Sequence, residues 1–149
     1  MKVSKRVTYG IMAAVDLTIN ATELPIQARA IAKRQGIPIR FLEQVLHALK
    51  HADLIESHRG AQGGYVLSRE PSRISIANIL EALEGPLFHR AAVNQGTRNR
   101  LPSKPELLLG EIWEQVQQAE QKVLESITVE QLAIQQRTFE AQRTPMYHI

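Results

Sequence analysis

Residues 28–49 read ARAIAKRQGIPIRFLEQVLHAL, and on a helix Arg40, Glu43, Gln44 and His47 project from one side while Leu42, Val45, Leu46 and Leu49 line the other. The first group suits hydrogen bonding to nucleobase edges: arginine to guanine, glutamine to adenine, a carboxylate accepting from the cytosine amino group. Taken alone, the same pattern also fits a plain solvated helix face. The flanking residues decide between the two. Ala32, Gly36 and Leu42 supply, in order, a small side chain where two helices approach, a residue tolerant of positive φ in the tight turn, and an apolar anchor for the second helix. A helix-turn-helix requires those three properties. Downstream, residues 54–58 and 65–68 are short strand candidates flanking Arg59-Gly60-Ala61-Gln62-Gly63-Gly64, which reads as a β-hairpin. Such a hairpin forms a wing beside a reading helix, so the base-reading interpretation of Arg40, Glu43, Gln44 and His47 is preferred.

Arg59 falls at the wing tip, where a long cation can enter a minor groove and be held by its negative potential. Gly60, Gly63 and Gly64 would let the main chain approach phosphates, and Lys2, Lys5, Arg6, Arg29, Lys33 and Arg34 are further candidates for phosphate contacts. Basic residues are concentrated accordingly: residues 1–73 hold 11 basic and 6 acidic residues, residues 74–149 hold 7 and 9. The first half is the one expected to meet a polyanion, double-stranded DNA.

Other chemistry finds less support. His47 and His51 have a helical i, i+4 spacing that could bind a metal, with His58 and His89 as additional donors. The first pair lies on the presumed DNA side, however, and no carboxylate pattern supports it, so no metal site is expected. Glu81 and Glu84 read as a solvated helix edge rather than an acid/base pair. The glycine cluster lacks the Gly-Lys-Ser/Thr ending of a nucleotide loop, and neither G-x-S-x-G nor H-E-x-x-H occurs. With no catalytic constellation, the chain is not expected to be an enzyme. The absence of cysteine among the 149 residues excludes disulfides, thiolate zinc sites, Cys-ligated iron–sulfur clusters and a cysteine nucleophile.

These residues must be positioned by a domain, and 149 residues suffice for one that buries about 70% of its unfolded surface. A first helix is expected over 5–20, with Val7, Ile11, Val15 and Thr18 on one face. Lys2, Lys5 and Arg6 ahead of this apolar run superficially resemble an export signal, but Asp16 interrupts it and no clear cleavage site follows. The expected location is therefore cytoplasmic. No run of 18 apolar residues suggests a membrane span. A second helix is expected from Pro25 to Gln35, ended by Gly36, and a third over 38–52 with Pro38 in its first turn. A fourth, over 75–84, carries Ile76, Ile79, Leu80 and Leu83. Residues 85–105 read as a loop.

A long helix is expected from Pro105 to about Ile127, with Leu109, Ile112, Val116, Ala119 and Val123 spaced as a short coiled-coil seam and Trp113 and Leu124 widening it. Packing on its own domain is one use for this stripe; pairing with a second copy is preferred, because the first half holds no spare partner. Thr128-Val129-Glu130-Gln131 fits a capping box that starts a short final helix, and 135–149 reads as a polar tail with scattered Phe139, Met146 and Tyr147.

The run RQGIPIRFLEQVLHALKHADLIESHRGAQGGYVLSR, within residues 5–69, resembles the winged-helix regulator family that includes IscR, NsrR and CymR. The similarity continues through ISIANILEALEG and LLLGEIWEQVQQAEQKVLESITVEQL, covering residues 1–134. The resemblance implies a homodimer held by the long helix through Leu109, Ile112, Trp113, Val116, Ala119 and Val123. It also implies base-reading roles at Arg40, Glu43 and Gln44, with Arg59 as the minor-groove residue of the wing; His47 is added from its place on the same face. The iron–sulfur members place three cysteines in the loop before the long helix, where this chain reads GPLFHRAAVNQGTRNRLPSKP. Gly110 stands where some members offer a histidine, and Thr8 where the nitric-oxide-sensing type has an acidic ligand. No cluster cofactor is expected.

The expected architecture is thus mainly α with a small β-hairpin: a winged helix-turn-helix domain over 1–84, a loop over 85–105, a dimerisation helix and short following helix over 105–134, and a tail over 135–149. The expected function is a sequence-specific, homodimeric transcriptional regulator, a repressor on an inverted repeat, answering to a small-molecule effector or to its own concentration. The alternative is a regulator acting mainly through a protein partner held by the 85–105 loop or the tail.

Overall fold

Ser4 starts the first helix, its hydroxyl accepting from the Val7 amide at 3.3 Å. In the computed structural model, which describes residues 2–86, 101 and 103–143, the elements follow in the order α1 (Lys5–Ile19), α2 (Ala28–Gln35), α3 (Ile39–His51), β1 (Ile55–His58), β2 (Gly64–Leu67), a 3-10 turn (Pro71–Arg73), α4 (Ile76–Glu84), α5 (Lys104–Ser126) and α6 (Val129–Arg143). The chain is mainly α-helical with one antiparallel hairpin, as its patterning implied.

Helix α1 is central, and it is buried more widely than a single amphipathic face. Besides Val7 and Val15, it buries Gly10, Ala13, Ala14 and Leu17, while Ile11 and Thr18 are only half-buried. Small residues allow this, since neighbouring helices can approach closely: a Cβ on Gly10 would lie 2.4 Å from Leu83 Cδ1 of α4. Leu42, Val45, Leu46 and Leu49 of α3 and Ile79, Leu80 and Leu83 of α4 complete the core. Full burial of each such aliphatic side chain is worth about 1.5–3 kcal/mol. Tyr9 and Phe41 add an edge-to-face pair with ring centroids 5.2 Å apart, which sets the orientation of α3 against α1.

Helix α2 begins at Ala28 rather than at Pro25. Ile26, two residues before the helix, instead exchanges backbone hydrogen bonds with Tyr65 at 3.0 and 2.7 Å, adding an isolated bridge beside the hairpin. The end of α2 matches expectation: Gly36 takes a left-handed φ of 66°, and the Ile37 amide closes the helix on the Ala32 carbonyl at 3.0 Å. Pro38 sits at the N-cap of α3 rather than inside its first turn.

After Ser126 the Ile127 carbonyl accepts from the Ile76 amide and the Val129 amide donates to the Ile74 carbonyl, at 2.9 Å each. The capping box forms between Thr128 and Gln131, with both bonds at 3.2 Å. The helix it starts is not short, because α6 continues to Arg143 through residues read as the start of the tail. Val129 and Ala133 anchor it, and farther along Arg137 Nη2 donates to the Ile19 carbonyl at the end of α1, at 3.1 Å. That cation sits where the unsatisfied carbonyls and the helix dipole both favour it. Most of the expected loop over 85–105, including His89, lies outside the described residues, as do Met146 and Tyr147.

Candidate nucleic-acid interface

The reading face is built on α3. Leu42, Val45 and Leu46 are fully buried and Leu49 nearly so, which fixes the rotation of the helix and turns Arg40, Glu43, Gln44 and His47 outward. All four are exposed, and among the described residues none has a side-chain hydrogen bond or ion pair. With Arg6 of α1 they line one shallow depression. The structure therefore brings a residue read only as a phosphate candidate next to the four base-reading candidates. His47 and His51 do not join a metal cluster: among the described residues no group of three His, Cys, Asp or Glu side chains is placed to hold an ion.

The wing pairs Ile55 with Leu67, Glu56 with Val66, Ser57 with Tyr65 and His58 with Gly64. Arg59 follows β1 directly, is exposed, and has no ion pair among the described residues. The glycines have internal reasons beyond any approach to phosphate. A Cβ on Gly64, whose φ is 153°, would lie 2.4 Å from the Ile26 carbonyl oxygen. One on Gly63 would meet the His58 carbonyl oxygen at 2.2 Å, and Gly63 is buried within the turn. Gly60 remains exposed at a φ of 106°, with open space around its Cα.

The six basic residues read as phosphate contacts divide into two groups. Lys2, Lys5, Arg6, Arg29 and Lys33 are exposed and free of ion pairs among the described residues. Arg34 is engaged elsewhere: its Nη2 and Nε donate to Asp16 Oδ1 and Oδ2 at 2.7 and 2.9 Å, and Gln35 Nε2 adds a third bond to Asp16 at 2.9 Å. Hydrogen bonding to the Asp16 carboxylate raises the Arg34 pKa above its ordinary value. Asp16 is 1% exposed, a buried charge in the central helix that the sequence reading treated only as the break in an apolar run. This bidentate bond locks α2 to α1 and so sets the platform from which α3 projects.

Helix α5 extends the domain rather than covering it. From residue 104 to 116 every position except Gly110 is exposed, and the helix packs on the body only near its end, through Leu124. Leu109, Ile112, Trp113, Val116, Ala119 and Val123 all remain exposed, together with Leu107 and Leu108. Ser103 and Glu106 form a capping box at its start, with the Ser103 amide donating to Glu106 at 2.7 Å. Among the described residues no helix is long and apolar enough to cross a membrane.

Comparison with known proteins agrees with this geometry. The model of the Rrf2 family, described as an iron-dependent transcriptional regulator, matches residues 3–135. The HTH-type transcriptional regulator CymR of Bacillus subtilis is 35% identical over 133 residues, covering 89% of this chain and 90% of the relative. IscR of Xenorhabdus nematophila is 33% identical over 84 residues, 56% of this chain and 51% of its own. Among solved structures, CymR, the global cysteine regulator of B. subtilis, superposes with a TM-score of 0.73 at 32% identity, covering 89% of this chain and 96% of the other. IscR of T. potens gives 0.72 at 35% identity, with 95% and 91% covered.

Proposed function

From the premise that this chain belongs to the Rrf2 family of transcriptional regulators, we propose that it acts as a cytoplasmic homodimeric repressor on an inverted repeat. It is a DNA-binding transcriptional regulator and not an enzyme. The finer reading is carried by one observation: the exposed Arg40, Glu43, Gln44 and His47 side chains have no partner among the described residues, on a helix whose opposite face is locked into the core. In this reading those four side chains meet base edges in the major groove and Arg59 enters the adjacent minor groove. Lys2, Lys5, Arg6, Arg29 and Lys33 neutralise phosphates, and the Gly60 backbone can approach one. Two copies joined along α5 would present two such heads to half-sites separated by one or more turns of the duplex.

The iron implied by the family description does not fit a thiolate-held cluster here. The chain has no cysteine, and the described residues offer no alternative set of three donors. The regulatory input is instead assigned to a small molecule or to the protein's own concentration, with DNA occupancy as the output.

Selection of bound duplexes from a random pool tests the reading. A two-fold symmetric consensus is expected; uniform, sequence-independent binding would overturn it. Within that consensus, Glu43→Ala should relax preference at one base-pair position per half-site, by about 1–3 kcal/mol of discrimination, and leave affinity for unrelated DNA unchanged. Arg59→Ala should weaken operator binding and reduce the salt slope of log K by about 1. Fluorescence anisotropy titrations across a salt series separate the two effects, and interchanged behaviour would refute the assignment.

A further inference from the structure

A half-open cleft of about 780 Å³ lies between the end of α1, the 21–26 segment and the base of the wing. It shares no residue with the reading face on α3. Its size is that of a small-molecule site, which typically spans roughly 300–1,000 Å³. The floor is apolar, built from Leu17, Ile26, Tyr65 and Leu67, and the rim carries Arg69 and Arg73. Both arginines are exposed and neither has an ion pair among the described residues. Glu70 is the one acidic residue in the lining, so the rim has a net charge of +1.

An apolar floor beneath a rim with one excess positive charge selects an amphipathic monoanion: a single carboxylate or phosphate held by the guanidinium forks, with a short apolar body against the floor. The walls belong to two parts of the fold that meet through the Ile26–Tyr65 backbone bonds. One wall is α1 with the 21–26 segment; the other is β2, in the hairpin that carries Arg59 near its tip, continued by the 68–73 segment that holds both arginines. A ligand spanning both walls binds best at one spacing of wing and body, and so shifts the population of wing positions by its differential affinity for them.

We propose that this cleft is the effector site, that it takes a small organic monoanion with a short apolar body, and that its occupancy changes operator affinity through the wing. The proposal rests on the reading of the protein as a DNA-binding regulator and supplies that reading with an input.

The test uses the full chain and three probes: 3-phenylpropionate, 3-phenylpropanol with the same body but no charge, and inorganic phosphate with charge but no body. In amide NMR spectra, saturable shifts in the 21–26 and 65–73 segments are expected with 3-phenylpropionate at least tenfold more tightly than with the other two. Arg69→Ala with Arg73→Ala should abolish them, and Arg69→Lys with Arg73→Lys should retain part. Saturating 3-phenylpropionate should change the operator Kd at least threefold in the wild type and not in the double alanine variant. Equal binding of all three probes, shifts elsewhere, or an unchanged operator Kd would overturn the proposal. It would also fail if the double alanine variant lost salt-dependent DNA affinity without anion binding in the wild type, because the arginines would then be phosphate contacts. Operator binding without ligand is measured in parallel, so failure of the effector site is distinguishable from failure of the regulator reading.

Discussion

Replacing Arg34 by alanine should destabilise the protein by about 3–5 kcal/mol, more than replacing the aspartate it binds. The asymmetry follows from where each charge goes when its partner is removed. The Asp16 side chain has no solvent exposure, so Arg34→Ala leaves a buried carboxylate with the Gln35 amide as its remaining side-chain donor. The Arg34 side chain is 40% exposed, so in Asp16→Ala the guanidinium can recover hydration, and the loss falls to about 1–3 kcal/mol. The double variant should resemble Asp16→Ala rather than the sum of the two single changes, because no uncompensated charge remains buried. Arg34→Lys should recover only part of the loss, since an ammonium cannot make two parallel bonds to one carboxylate. Urea unfolding at fixed protein concentration measures all four. A result in which Arg34→Ala unfolds like the wild type but loses DNA affinity would return Arg34 to the phosphate contacts.

That pair shows where reading the sequence succeeds and where it stops. Local chemistry was legible: Gly36 at a left-handed helix end, Thr128 as an N-cap, and the apolar stripe of α3 each depend on residues a few positions apart. The reading face followed, because the burial of Leu42, Val45, Leu46 and Leu49 dictates which side chains remain outside. Features that depend on distant partners were not legible. Pro25 and Ile26 looked like a helix start until Tyr65, 39 positions after Ile26, paired with the Ile26 backbone. Asp16 looked like an interruption until Arg34 arrived from the next helix. The extension of α6 past Ile134 had no apolar period to mark it, and it is tied to the body through Arg137 and the end of α1.

Two glutamates placed on α5, at Ile112 and Trp113, should convert the protein to a monomer and lower its affinity for a two-half-site operator by about 10²–10⁴-fold. Both residues are more than half exposed in the single chain, at 51% and 61%, so the substitutions remove little packing within the protomer. The same exposure argues for a partner. A helix arm that displays Leu109, Ile112, Trp113, Val116 and Val123 to water forms an apolar patch of the kind that marks interaction sites. With Ala119 the spacing from Leu109 to Val123 is 3, 4, 3 and 4, which matches the seam of a two-stranded coil. Linking two reading heads makes the second binding event intramolecular, and separating them removes that advantage without altering any base contact. Affinity for an isolated half-site should therefore be unchanged, as should the helical content. Analytical ultracentrifugation combined with anisotropy on half-site and full-site duplexes resolves these quantities. If the double variant still sediments as a dimer, α5 is not the seam; if it is monomeric yet binds the full site as the wild type does, the two heads do not act together and the inverted-repeat reading fails.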